Sequence, residues 1–132
     1  QAKAGDIGRG RDLVLVAEDN ADVGELMVAA LESAGYRPIL SRDGDAAMQA
    51  FREHAHEAKM VVMDLDLPKQ SGLECVDQIR ASHKDLPVLV VTGNIEQLAN
   101  RRLTANEQVL AKPFKLSELI RLVNEATRST VH

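Results

Sequence analysis

The chain has 132 residues, enough for one domain whose core needs no disulfide or metal to hold it together. Its 20 acidic and 16 basic residues give a net charge of -4 and only 2% of its residues are aromatic, so we expect no nucleic-acid surface. The single cysteine, Cys75, rules out an intrachain disulfide, and no apolar run approaches the ~20 residues of a membrane helix, so we expect no membrane contact.

The chain divides into one patterned segment and two short ends. Residues 1–11 are rich in glycine, lysine and arginine, a composition typical of a flexible linker. Residues 12–128 are predicted to form the domain, and residues 129–132 a tail. Because the first residue is Gln1 and not methionine, we expect a fragment or a processed chain.

Five short apolar runs, each of strand length, alternate with segments whose apolar residues recur at helical spacing. The predicted strands are Leu13–Ala17, Tyr36–Ser41, Met60–Met63, Val88–Val91 and Gln108–Ala111. Alternating strands and helices favour a parallel sheet covered on both faces. The fold class predicted is therefore α/β, a doubly wound five-stranded sheet, and we take 2-1-3-4-5 as its strand order.

Three local signals refine this prediction. Because Pro38 cannot donate a ladder hydrogen bond, we expect the second strand to lie at an edge of the sheet. Gly35 closes the first helical stripe as a C-terminal cap. The segment Ile95–Asn106 has few apolar residues and is predicted to be a short or mobile helix.

Polar side chains stand at the carboxyl ends of four of the five strands. Glu18 and Asp19 follow the first strand, Asp64 the third, Thr92 the fourth and Lys112 the fifth. Ligands of open α/β sheets bind beyond these ends, where the strand order reverses. Two carboxylates ~4 Å apart repel by ~4 kcal/mol at an effective dielectric constant near 20, so three of them call for a cation or a retained proton. An all-oxygen ligand set suits Mg²⁺.

A single aspartate at a strand end is more often a cap or turn former than a functional group. The ordered set, however, resembles the response-regulator receiver domain of two-component phosphorelays. The resemblance covers about Asp12–Arg128 and implies the flavodoxin-like (βα)5 fold of that family. Its motifs are Glu18-Asp19, Asp64-Leu65-Asp66-Leu67-Pro68-Lys69-Gln70-Ser71-Gly72, Thr92-Gly93 and Lys112-Pro113-Phe114.

The resemblance implies that Asp64 is the phosphoacceptor. Its phosphodonor would be the phosphohistidine of a histidine kinase or of a histidine phosphotransfer protein. Glu18, Asp19 and Asp64 would hold Mg²⁺ together with the backbone carbonyl of Asp66. The metal would neutralise charge on the transferring phosphoryl group.

The resemblance also assigns residues around the phosphoryl group. Lys112 would pair with its oxygens and Thr92 would donate a hydrogen bond to them. The side chains of Asp66 and Asn94 occupy positions that tune the lifetime of the phosphate. The bond between Lys112 and Pro113 is expected to be cis, as in the family.

Two features depart from the family pattern. Many receivers carry an aromatic residue three positions before the lysine, where this chain has Val109, so the aromatic part of the switch is missing. The stretch from Thr92 to Lys112 also looks a few residues shorter than usual, which would shorten or distort the fourth helix.

The sequence is compatible with four kinds of protein. The chain ends favour the cytoplasmic C-terminal receiver of a hybrid histidine kinase, and the alternative is a stand-alone single-domain response regulator. The Asp64-x-Asp66 pattern also resembles haloacid-dehalogenase phosphatases, but there it would open the first strand of a longer chain. A flavin binder is disfavoured because a flavin phosphate would meet three carboxylates. The pattern leaves the oligomeric state open.

Overall fold

The computed structural model describes residues 11–129. The predicted linker, apart from Arg11, and the predicted tail, apart from Ser129, lie outside the described residues. Five strands, four α-helices and one 3₁₀ turn are formed there. In chain order they are β1 (Leu13–Ala17), α1 (Ala21–Ser33), β2 (Arg37–Ser41), α2 (Gly44–His54), β3 (Ala58–Asp64), α3 (Gly72–Ser82), β4 (Val88–Thr92), the 3₁₀ turn (Ile95–Leu98), β5 (Glu107–Ala111) and α4 (Leu116–Ser129).

The strands form one parallel sheet in the order β2-β1-β3-β4-β5, which confirms the predicted topology. Strand β2, which contains Pro38, lies at an edge, as the proline predicts. From β1 the chain goes to β2 at one edge of the sheet, and it then returns to form β3 on the other side of β1. The strand order therefore reverses between β1 and β3, and their carboxyl ends flank the crevice where such folds bind ligands.

Alternating side chains of the strands build two cores, one on each face of the sheet. In β1, Leu13 and Leu15 face the core shared with α2 and α3, where Phe51 and Ile79 are buried. Val14 and Val16 of the same strand face the opposite core, which α1 and α4 cover. Both faces are therefore buried, which explains why the central strands are continuous apolar runs.

The segment between β4 and β5 does not form an ordinary α-helix. The segment Ile95–Asn106, predicted to be short or mobile, forms a single 3₁₀ turn over Ile95–Leu98, and no further regular structure forms before β5 within the described chain. Leu98 is the one residue of the turn that is buried, so the segment lacks the apolar stripe that holds a longer helix on a sheet. A hydrogen bond of 2.7 Å from Arg101 to Asp77 ties the following stretch to α3.

Gly35 follows the end of α1 with a φ of +97°, so the predicted glycine cap is confirmed. The bond between Lys112 and Pro113 is cis, as expected. Among residues 11–129, no helix combines the length and the apolarity needed to cross a bilayer.

Candidate functional site

The carboxyl ends of β1 and β3 bring three carboxylates together. Glu18, Asp19 and Asp64 each present an oxygen, and these oxygens all lie within 4.8 Å of one another. Glu18 and Asp64 are 0% and 1% exposed, whereas Asp19 is exposed at the rim. The structure thus places the predicted acidic residues in one pocket at the reversal of strand order.

Lys112 enters the same pocket from the end of β5. Its Nζ lies 2.8 Å from Asp64 Oδ2 and 3.2 Å from Glu18 Oε1. The backbone amide of Lys112 donates to the carbonyl of Thr92 at 2.8 Å, which fixes the end of β5 against the end of β4. One ammonium therefore faces two buried carboxylates, and the third carboxylate lies beside them.

Burial and charge act against each other on these groups. Burial raises the pKa of the Glu18 carboxyl; the Asn20 amide, donating at 3.1 Å, opposes this rise and the negative charge of Asp64 adds to it. Burial disfavours the charged form of Lys112, but the hydrogen bond and ion pair with Asp64 outweigh it, so the pKa of Lys112 is raised. The pocket therefore holds more negative charge than its one lysine compensates.

The residues of the pocket fit a hard divalent cation. Glu18 Oε1 is buried without a hydrogen-bond partner, because its contact with Lys112 lies outside hydrogen-bonding geometry. Buried polar atoms are nearly always satisfied, so an orphaned carboxylate oxygen indicates a missing partner. All three side chains offer oxygen, the ligand that Mg²⁺ prefers.

Close backbone packing positions the loop that follows Asp64. The amide of Leu65 donates to Val91 of β4 at 3.0 Å, and the amide of Gly72 donates back to Leu65 at 3.0 Å. A Cβ built on Gly72 would lie 2.2 Å from the carbonyl oxygen of Asp64. The start of α3 therefore rests directly on the backbone of the phosphoacceptor candidate.

Thr92 lies at the predicted strand end, but its hydroxyl donates to residues of the segment after β4. It donates to Gln97 Oε1 at 2.7 Å or to the carbonyl of Asn94 at 3.0 Å. Gln97 Nε2 in turn donates to Asp66 Oδ1 at 3.0 Å. Sequence reasoning missed Gln97, because no motif marks it and its contacts depend on the shape of the 3₁₀ turn.

The remaining predicted positions surround the pocket. Asp66 and Asn94 are both exposed at its mouth, and the amide of Asp66 donates to Asp64 Oδ1 at 2.9 Å. Asn94 uses its side chain to cap the 3₁₀ turn at the amide of Glu96. Val109 is half-buried and packs against the core under α2 and α3, so an apolar packing residue fills the position of the family's aromatic side chain.

The raised pKa of Glu18 predicts a pH dependence of stability. Because the folded protein holds the Glu18 proton more tightly than the unfolded chain, this contribution is complete below the ordinary value of 4.5 and is lost as pH rises through the raised pKa. We expect the unfolding free energy of the metal-free protein, relative to Glu18→Gln, to fall with increasing pH in that window. Urea titrations with a chelator present measure it. Parallel curves for the two proteins would contradict the assignment.

This combination of topology and pocket defines a class of doubly wound α/β domains with an acidic, lysine-lined crevice at the reversal of strand order. Within that class, the chain belongs to the response regulator receiver domain family, whose model matches residues 14–124. Family membership confirms the resemblance based on the strand-end motifs.

Two curated relatives match most of this chain. The chain is 30% identical over 122 residues to the uncharacterized transcriptional regulatory protein YrkP of Bacillus subtilis (strain 168), a match covering 90% of this chain and 51% of YrkP. It is 33% identical over 120 residues to the response regulator MprA of Mycobacterium sp. (strain KMS), covering 89% and 51% of the two chains. The chain thus spans about half the length of these relatives.

Solved receiver domains share the fold. A response regulator receiver domain protein from Clostridium thermocellum superposes with a TM-score of 0.83 at 21% identity, over 90% of this chain and 96% of that one. The response regulator TrrA of Thermotoga maritima, in complex with Mg²⁺ and BeF, gives 0.78 at 25% identity over 87% and 98%. The receiver domain of the sensor histidine kinase PA1611 from Pseudomonas aeruginosa PAO1, with magnesium in its active-site cleft, gives 0.74 at 31% identity over 89% and 98%.

Proposed function

We propose that this domain accepts a phosphoryl group on Asp64 and changes conformation in response, as a signalling module. The observation that carries the proposal is the Lys112 ammonium 2.8 Å from Asp64 Oδ2, in a pocket that also holds the carboxylates of Glu18 and Asp19. The proposed donor is the phosphohistidine of a histidine kinase or of a histidine phosphotransfer protein.

In the proposed step, a carboxylate oxygen of Asp64 attacks phosphorus. The new O–P bond forms as the N–P bond to the imidazole breaks, and the electron pair leaves with the nitrogen. Aspartyl-phosphate formation of this kind is an established use of a carboxylate nucleophile. Lys112 pairs with a phosphoryl oxygen, which places its fixed charge where negative charge accumulates.

The carboxylates of Glu18, Asp19 and Asp64, with the backbone carbonyl of Asp66, are the proposed Mg²⁺ ligands. When bound, the cation neutralises charge on the transferring phosphoryl group. The buried Glu18 Oε1, which has no hydrogen bond, and the Mg²⁺-bound neighbour TrrA support this proposal.

Uptake of one phosphoryl group from acetyl phosphate and Mg²⁺ tests the proposed function. We expect the wild-type protein to gain one group and Asp64→Asn to gain none, as measured by intact mass. Asp85→Asn is the matched control, because Asp85 is exposed and precedes β4 at the opposite end of the strand. Equal uptake by Asp64→Asn and wild type would refute the assignment.

A turnover assay with a generic phosphate ester separates a receiver from a phosphatase. A receiver takes up one phosphoryl group and stops, whereas a haloacid-dehalogenase-like enzyme turns over a generic phosphate ester. Family membership and the position of Asp64 at the end of the third strand favour the receiver.

The relatives bear on the parent protein. The transcriptional regulatory protein YrkP and the response regulator MprA are about twice the length of the match, and they give no support to a hybrid kinase. The solved receiver of PA1611 does come from a sensor histidine kinase. A cytoplasmic location is part of the proposal, because the chemistry needs a phosphohistidine donor.

A further inference from the structure

One side chain, Gln97, joins the loops after β3 and β4 across the mouth of the pocket. Its Nε2 donates to Asp66 Oδ1 at 3.0 Å, and its Oε1 accepts from the Thr92 hydroxyl at 2.7 Å. Asp66 lies two residues after Asp64, and Thr92 ends the neighbouring strand. The bridge therefore links both loops that border the phosphoacceptor candidate.

The chemistry of the two partners fixes the orientation of the Gln97 amide. An ionised carboxylate can only accept, so the NH₂ group must face Asp66. The carbonyl oxygen of the amide then faces Thr92, which must donate its hydroxyl proton. Each partner satisfies a different end of the glutamine, and reversing the amide would set its oxygen against the Asp66 carboxylate.

Thr92 has a single hydroxyl proton, and the bridge uses it. The side chain is fully buried, and its oxygen already accepts from the Asn94 amide at 2.9 Å. Its two possible acceptors, Gln97 Oε1 and the Asn94 carbonyl, both belong to the segment after β4. The hydroxyl cannot donate to a phosphoryl oxygen on Asp64 while it donates to Gln97.

We propose that Gln97 is a positioning residue that latches the unphosphorylated state, an inference that rests on the proposed function of Asp64. Arrival of a phosphoryl group on Asp64 draws the Thr92 hydroxyl away from Gln97 Oε1 and leaves that oxygen without its partner. Because Gln97 belongs to the 3₁₀ turn, the exchange couples the state of Asp64 to the segment Ile95–Leu98. Because position 109 is a valine, this chain has no aromatic side chain there that could respond to the same event.

Calorimetric titration with beryllofluoride and saturating Mg²⁺ tests the latch. In Gln97→Ala the Thr92 hydroxyl no longer has to leave the glutamine, so we expect beryllofluoride to bind about threefold to tenfold more tightly than in wild type, the equivalent of one modest hydrogen bond. Gln108→Ala, at an exposed position on β5, is the matched control and should leave the affinity unchanged. Urea unfolding of each variant verifies that the fold is retained.

Two further variants separate a latch from a general packing role. The carboxylate introduced by Gln97→Glu accepts the Thr92 hydroxyl proton more strongly than the amide oxygen does, because it is charged, so this variant should bind beryllofluoride more weakly than wild type. In a Thr92→Val background the latch has no proton to hold, so adding Gln97→Ala should no longer tighten binding. A packing role would leave the effect of Gln97→Ala the same in both backgrounds.

These titrations test the latch separately from the phosphoacceptor function of Asp64, on which it rests. Tighter binding in Gln97→Ala that disappears in the Thr92→Val background supports the latch. Wild-type binding with equal or weaker binding in Gln97→Ala overturns the latch and leaves the phosphoacceptor function intact. Failure of the wild-type protein to bind beryllofluoride overturns both.

Discussion

Gly72→Ala should destabilise the domain by ~3 kcal/mol, because a Cβ at this position overlaps backbone that cannot move aside. It would lie 2.2 Å from the carbonyl oxygen of Asp64 and 2.6 Å from Leu65 Cα. Relief requires the start of α3 to move away from β3, which would also displace the loop that carries Asp66. Urea unfolding measures the loss, and a lower affinity for Mg²⁺ should accompany it.

Gly93→Ala is the matched control for this substitution. Gly93 also borders the pocket, but a Cβ there would meet nothing within 4 Å, and its backbone has no positive φ. The change in unfolding free energy should stay within ~0.5 kcal/mol, as at ordinary surface positions. Equal losses for the two variants would show that close approach to Asp64 is not the reason for glycine at position 72.

Lys112→Ala should destabilise the metal-free protein by ~2 kcal/mol. Removing one partner of a buried ion pair costs ~3–5 kcal/mol, and the 29% exposure of the Lys112 side chain lowers that figure. Two buried carboxylates, Glu18 and Asp64, would then face each other without the ammonium. Chemical denaturation in the presence of a chelator measures the effect.

Mg²⁺ should reduce the loss of unfolding free energy caused by Lys112→Ala. A divalent cation supplies the missing positive charge and stabilises whichever state binds it. Lys115→Ala is the control, since Lys115 is an exposed lysine three residues further along the chain. A loss that is the same with and without Mg²⁺ would contradict a shared site for the lysine and the cation.

The sequence predicted the layered fold well because its central strands are buried on both faces. Runs such as Leu13–Ala17 have no polar positions, and the polar groups gather at their carboxyl ends, where parallel strands meet. The strand order 2-1-3-4-5 was assumed in the prediction, and the structure confirms that order. The observed strand bounds differ from the predicted ones by at most two residues.

The segment after β4 could not be predicted in detail. Its apolar residues, chiefly Leu98 and Leu103, do not define a helical stripe, so only a short or mobile element could be predicted. The actual turn depends on a cap by Asn94 and on the burial of Leu98. Gln97 was missed because its partners lie far apart in the sequence, Thr92 at the end of β4 and Asp66 in the loop after β3.

The residue that carries the phosphoryl group can be located by chemical trapping. The wild-type protein, treated with acetyl phosphate and Mg²⁺, is reduced with borohydride to trap the acyl phosphate, digested, and mapped by mass spectrometry. We expect the modification on Asp64, the carboxylate bound by Lys112 at the end of β3. A modification confined to any other residue would refute Asp64 as the phosphoacceptor.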